Sequence, residues 1–269
     1  MPLSEEYNLR MRFLSMFVEL SSRIRKGIGY GFSELVKDCD FLGRKCNNEG
    51  YFQHFASPSY GNCYIFNKAG GKTTSLTGPS FSISMILDTL EDTYLPRRIT
   101  QKAGARVAVH RPNTMPLLDD EGIDVTPGLA SSIAIKEVGL VDEDLAECAA
   151  GWKETGYQPQ NNTVEDLYSI TECRRMCLQR HFVDDCGCFH ALYPLAFYYD
   201  KTLYNEDYHQ YRICNLSSKS TDDICVGRNI DQYSKDSTSC GWKRSTQAPF
   251  RQLFGRRLPL RVPGVSWAA

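Results

Sequence analysis

The chain has 269 residues, 31 basic and 32 acidic side chains, and 42% apolar residues. This is a globular composition rather than a disordered one, and near-neutrality leaves no overall field to gather nucleic acid or anionic lipid. Its 11 cysteines, most of them between Cys148 and Cys240, argue against a reducing compartment and for oxidised pairs.

In chain order, the first apolar run, Phe13 to Val18, is broken by Ser15 and followed by Glu19, so it reads as neither a signal peptide nor a membrane span. From Leu9 the residues Phe13, Phe17, Leu20 and Ile24 recur at steps of three and four. That spacing predicts a packing helix from Leu9 to Ile24, ended by Gly27, Gly29 and Gly31. Gly70-Gly71-Lys72-Thr73 is no phosphate loop, because Phe66 stands where the first glycine belongs. Alternation predicts three strands: Ser80 to Leu87 with Phe81, Ile83, Met85 and Leu87 inward, Arg106 to His110 with Val107 and Val109 inward, and Ser132 to Lys136 with Ile133 and Ile135 inward.

Asp119, Asp120, Glu121 and Asp124 around Gly122 lack the spacing and terminal Glu of a calcium loop and read as a solvated turn. Asp142, Glu143, Asp144 and Glu147 read as an exposed acidic segment. No G-x-S-x-G elbow and no nucleophile with a base is present, so neither catalysis nor a cofactor is expected. A helix first, strands in the middle and a cysteine-tied helical end predict an α+β fold.

Ser169 and Glu172 are spaced as a capping box, which starts a helix running toward Phe182. Cys173 and Cys177 then lie one turn apart, roughly 6 Å along the axis. An extended C-x-C segment, spanning roughly 6.6 Å, supplies matching sulfurs. Zinc ligation with His181 and His190 is the rival reading. It is disfavoured because the spacing matches no common zinc module and because sequons at Asn161 and Asn215 fit an oxidising, glycosylating compartment. The last 29 residues carry six basic and no acidic side chains. The shift marks a boundary, and their Pro and Gly content predicts a tail without regular structure, or one foreign to the domain.

Five blocks resemble the extracellular domain of the epithelial sodium channel, degenerin and acid-sensing ion channel superfamily. They are Gly29-Tyr30 leading to Cys39 and Cys46; Tyr60-Gly61-Asn62-Cys63-Tyr64-Ile65-Phe66-Asn67; Gly104-Ala105-Arg106-Val107 through His110; Pro127-Gly128; and Ser169 to Cys188 ending in Tyr193-Pro194. The resemblance implies a subunit of a homo- or heterotrimeric, amiloride-sensitive channel at the plasma membrane with sodium ions as permeant species and no nucleic-acid partner. It implies two membrane helices, absent from this chain, flanking a hand-like extracellular domain. Residues 1–147 would form parts of the finger and a mixed-sheet palm, 148–240 the disulfide-tied helical thumb, and 241–269 a non-homologous tail. Stimuli would move finger and thumb, and palm strands would transmit the movement.

The resemblance also implies the pairs Cys39 with Cys46, Cys188 with Cys214, Cys186 with Cys225, and Cys177 with Cys240. Cys63, Cys148 and Cys173 are left over: the family partner of Cys63 would precede Met1, and those of Cys173 and Cys148 would stand where Trp242 and Thr246 are found. The native frame is therefore expected to stop near Cys240. An alternative from another class is a secreted cysteine-rich module that binds a ligand or acts as a decoy.

Overall fold

Residues 5–93, 102–135, 148–149, 151–159, 168–205, 211–217, 219–235, 244–245, 260–261 and 264–268 are described in the computed structural model. They fall into two units, each drawn from two stretches of chain: Leu20–Lys136 with Gln252–Ala269, and Met1–Glu19 with Glu137–Arg251. The whole is a mixed α+β fold with several small sheets and disulfides. Among the described residues no helix is long and apolar enough to cross a membrane.

In the first unit, turn chemistry sets the strands. Leu42 and Gly43 both take positive φ, 56° and 73°, and form the two-residue turn between strands Val36–Phe41 and Arg44–Lys45. The Asp40 carboxylate accepts from the Gly43 N–H at 2.8 Å. Asp40 lies opposite Lys45, so Cys39 and Cys46 follow as the next cross-strand pair, and they are bonded with Cα atoms 4.9 Å apart. Ile83–Leu87 pairs on the other side of Val36–Phe41.

Strands Phe52–Ser57 and Gly61–Phe66 form the second hairpin, whose Ser57 pairs with Gly61 across a three-residue loop; Gly61 at φ 69° supplies the left-handed step that loop needs. This hairpin belongs to a five-stranded sheet in the order Phe52–Ser57, Gly61–Phe66, Gly264–Ala268, Ala105–His110, Ile123–Val125. Tyr64, Phe66 and Val107 from one face pack with Phe32, Leu35, Val36, Phe41 and the Cys39–Cys46 bridge. Cys63, Ala108 and Leu118 form a smaller cluster with Phe55 and Tyr60.

Five expectations about these elements and the tail change. The predicted helix is two helices, Glu5–Glu19 and Ser22–Ile28, and its buried residues are Met11, Leu14, Phe17 and Val18; Phe13 and Ile24 are exposed. The N-terminal helix carries apolar residues on two faces, Leu9, Phe13 and Met16 being the exposed set, so period alone could not choose the packed one. Ile83, Met85 and Leu87 do pack inward, whereas Phe81 is exposed in the short 3-10 turn Pro79–Phe81 that precedes the strand. Residues 131–135 form no strand: Ile133 packs on the core, Ile135 is exposed, and Lys136 lies outside the described residues. Alternation specifies which face is buried but does not supply a neighbouring strand. The expected mixed sheet is antiparallel in all its described ladders; for the pair Phe52–Ser57 and Gly61–Phe66 the short hairpin connection requires it. Finally, the described residues of the basic tail form three strands, Arg244–Ser245, Leu260–Arg261 and Gly264–Ala268, where irregular chain was expected.

In the second unit, helix Glu5–Glu19 sets Met11, Leu14, Phe17 and Val18 against Leu178, Phe182, Cys188, Ala191, Cys214, Leu216 and Val226. Leu178 and Phe182 come from helix Ile170–Cys186 and Val226 from helix Thr221–Lys235; the others lie outside these helices. A three-stranded antiparallel sheet, Tyr157–Pro159, Ala196–Tyr199 and Thr202–Asn205, covers a second cluster of Trp152, Tyr157, Tyr168, Cys173, Met176, Cys177 and Phe197. Among the described residues, parallel pairing is limited to two-residue pairs, Cys188–Phe189 with Arg212–Ile213 and Cys148–Ala149 with Arg244–Ser245.

Candidate functional site: a carbonyl clamp and a disulfide-tied helix pair

Two of the sequence blocks meet in space. Strand alternation puts Asn62 and Tyr64 on one face, and both reach the Tyr30 carbonyl: the Asn62 Nδ2 donates at 3.0 Å and the Tyr64 hydroxyl at 2.9 Å. Asn62 Nδ2 also donates to the Lys26 carbonyl at 2.9 Å, while its Oδ1 lies 2.9 Å from His54 Nε2. The buried amide thus ties the end of helix Ser22–Ile28 to the sheet. Gly29 is glycine because a Cβ there would sit 2.8 Å from Asn62 Cγ. Burial raises the Tyr64 phenol to about 12, with the Glu49 carboxylate adding to it, so the hydroxyl stays a donor across the physiological range. Tyr64→Phe removes one of two donors to the Tyr30 carbonyl and is expected to cost about 1 kcal/mol in urea unfolding.

A third block works through Arg106. Gly104 has φ 130°, and a Cβ would lie 2.2 Å from the Val125 carbonyl oxygen, so only glycine lets the strand enter so close to its neighbour. Arg106 Nε donates to the Leu118 carbonyl at 2.9 Å and Nη1 to Asp124 Oδ1 at 2.6 Å, while Lys102 Nζ meets Asp124 Oδ2 at 2.6 Å. Those contacts, Lys102 first, hold the Asp124 carboxyl below its usual range. Asp124 therefore serves as the counter-ion of two cations. Among the described residues no group of side chains could hold a metal ion. At Gly70-Gly71-Lys72, the Asn67 side chain spans the loop, donating to the Lys72 carbonyl at 3.0 Å and accepting from its N–H at 2.8 Å.

In the second unit Ser169 caps helix Ile170–Cys186 by accepting from the Glu172 N–H at 3.3 Å, and Gly187 ends it in the left-handed region, its N–H bonded to the Val183 carbonyl. The turn of the helix into strand Cys188–Phe189 splits the C-x-C pair between two partners. Cys186 is bonded to Cys225 on helix Thr221–Lys235, and Cys188 to Cys214 beside strand Arg212–Ile213. Helix to helix and strand to strand, the two bridges fix one corner of the unit.

Cys177 is also disulfide-bonded; Cys240, Asn161 and the side chain of Cys148 lie outside the described residues. Cys63 and Cys173 are buried free thiols. Burial pushes both up, Cys173 to about 11 even with Tyr168 and Thr155 hydrogen-bonded to it, so neither offers a thiolate near neutral pH.

The helix is also locked by an amide that spacing did not reveal. Gln179, fully buried, donates to the His190 carbonyl at 3.1 Å and accepts from the His190 N–H at 3.0 Å. His190 packs between Phe182 and Tyr193, and its Nδ1 accepts from the Leu192 N–H at 3.2 Å. That role requires an unprotonated Nδ1, and burial, reinforced by Arg175, lowers the ring to about 4. The unfolded histidine protonates first, so the stabilisation is complete above about pH 6.5 and is lost as pH falls toward 4. His190→Asn keeps an acceptor and removes the titration; acid unfolding between pH 6.5 and 4 should therefore be shallower in that variant.

Asp222 closes the corner. Buried at the start of helix Thr221–Lys235, it binds Arg212 through both carboxylate oxygens and accepts from the Asn215 N–H at 2.7 Å. Arg212 is the main reason its carboxyl is held low. Asn215 itself is exposed, with its Oδ1 accepting from Ser217 N–H at 3.1 Å and Oγ at 2.7 Å, so the sequon's two functional side chains are hydrogen-bonded to one another.

The chain matches a family model described as amiloride-sensitive sodium channel over residues 4–245. It is similar to epithelial sodium channel subunit beta of Bos taurus, 32% identical over 204 residues that make up 72% of this chain and 30% of the relative. Subunit beta-2 of Xenopus laevis is 33% identical over 199 residues, again 72% and 30%, and subunit alpha of Pelodiscus sinensis 33% over 168 residues, 61% and 25%. The matched part of the chain spans about 30% of the length of the beta relatives.

Proposed function

The chain belongs to the amiloride-sensitive sodium channel family, and from that premise we propose that it is the extracellular part of a sodium-channel subunit, the part that receives a stimulus and passes movement toward a pore outside this segment. As a member of a channel family it is not an enzyme. The observation that carries the proposal is the continuity of the match, residues 4–245, through both units. The three described disulfides suit an extracellular setting.

On this reading helix Glu5–Glu19 belongs to the finger, the sheets of residues 20–136 to the palm, and the disulfide-tied helices within 148–240 to the thumb. Cys177 pairs with Cys240, and Asn161 and Asn215 carry glycans. The complete subunit sits in the plasma membrane and assembles as a homo- or heterotrimer that conducts sodium. The Asn62–Tyr30 clamp and the bridged helix corner would be the rigid parts that let movement of one element be felt by its neighbours, because packed elements shift as bodies rather than deform.

A chimera tests this. Residues 8–240 replace the matching segment of an epithelial sodium channel beta subunit, which is expressed with its partner subunits. Surface delivery, co-purification with the partners and an amiloride-blocked sodium current are the expected result. Export of a folded chimera that does not associate with the partners would overturn the proposal and favour a secreted binding module.

A further inference from the structure

The five-stranded sheet is completed at its centre by chain that arrives last. Strands Gly61–Phe66 and Ala105–His110 do not pair with each other; each pairs antiparallel with Gly264–Ala268. Ser266 stands opposite Ile65 on one side and Ala108 on the other, and Trp267 opposite Tyr64 and Val107. These flanking residues are among the most buried of the unit. The slot is made of residues inside the family match, 4–245, whereas the strand that fills it lies beyond the match.

Such a slot asks for main-chain donors and acceptors along both edges and for an alternating pattern; it does not ask for one particular sequence. Gly264–Ala268 meets both demands. Its larger residues, Val265 and Trp267, stand opposite Phe66 and Tyr64, whose rings lie in the main core, and its small ones, Ser266 and Ala268, opposite Ile65 and Cys63. Left unfilled, the slot would expose two inner edges of unpaired backbone groups.

We propose that the space between Gly61–Phe66 and Ala105–His110 is an acceptor site for one extended polypeptide strand, filled in cis by Gly264–Ala268 and in trans by the same segment of a second copy of this chain. The ladder is identical whichever copy supplies the strand. The donor lies near the end of the chain, joined to Ala105–His110 only through the whole of residues 111–263. Closing so long a loop gives the cis strand an advantage of effective concentration and no new contact. Exchange of one element between copies is then a matter of concentration.

The test uses the full chain carrying Ser266→Pro, which disables the donor because proline cannot sit in a central strand. Amide hydrogen exchange should lose about hundredfold protection across 61–66 and 105–110. An excess of a synthetic peptide of residues 260–269 should restore it, and the same peptide carrying the proline should not. Unchanged protection in the variant would overturn the proposal. So would protection that is lost and not recovered with the unmodified peptide, even if the variant unit is unfolded, since an acceptor would refold around its strand. Failure here leaves the family membership and the channel reading untouched.

Discussion

Replacing Cys188 and Cys214 together with alanine should lower the stability of the unit formed by Met1–Glu19 and Glu137–Arg251 by about 3 to 4 kcal/mol, or roughly 10–15 °C in its thermal midpoint. The bridge closes 26 residues of sequence and is buried, both cysteines belonging to the core cluster that includes Leu14, Phe182 and Ala191. The loss therefore combines released loop entropy with a small defect in packing. Alanine is the right replacement because serine would leave a buried hydroxyl needing a partner. The internal control is Cys39–Cys46, which closes only 7 residues. On loop entropy alone that bridge contributes about 2 kcal/mol. Urea unfolding of the two double variants under non-reducing conditions checks the order. Equal losses would mean that the Cys188–Cys214 corner is not the support described above.

Asn62→Asp should cost about 3 kcal/mol while changing no side-chain volume. The substitution turns the amide nitrogen, which donates to the Lys26 and Tyr30 carbonyls, into an oxygen that faces two acceptors at hydrogen-bonding distance. Water does not relieve it, because Asn62 is only 5% exposed. Asn62→Ala should do less damage, since it leaves the two carbonyls short of donors but introduces no charge. Urea unfolding with a probe in the unit of Leu20–Lys136 measures both. If aspartate were tolerated as well as alanine, the double-carbonyl clamp would not be holding the helix to the sheet.

These two sites differ in how far they can be read from the chain. Gly29-Tyr30 and Asn62 through Tyr64 stand out as blocks, but what joins them is a carbonyl, which every residue has. Only the glycine required by close approach of Asn62 leaves a trace in the sequence. The start of helix Ile170–Cys186 was legible from the spacing of Ser169 and Glu172, whose capping is local, whereas its end at Gly187 was not marked beforehand. The Gln179–His190 lock was not, because a glutamine at a helical position usually faces water and its backbone partner is set by the fold.

Phase was hardest where both faces of a segment are apolar. In helix Glu5–Glu19 the series Leu9, Phe13, Met16 and the series Met11, Leu14, Val18 are both good stripes, and the second is the buried one. The break between the first two helices falls at Leu20–Ser21, with neither glycine nor proline to announce it. Strand Gly264–Ala268 was missed because five residues beside Pro, Gly and Arg give too short a pattern. Its evidence is the slot it enters, which belongs to a distant part of the chain.

The most direct measurement is disulfide mapping of the intact, unreduced protein by mass spectrometry, with alkylation before and after denaturation. Cross-linked peptides joining Cys39 to Cys46, Cys186 to Cys225 and Cys188 to Cys214 are expected, with Cys63 and Cys173 alkylated only after denaturation. Cys186 and Cys188 found with exchanged partners, or recovered as thiols in protein secreted from cells, would contradict the extracellular scaffold on which the account rests.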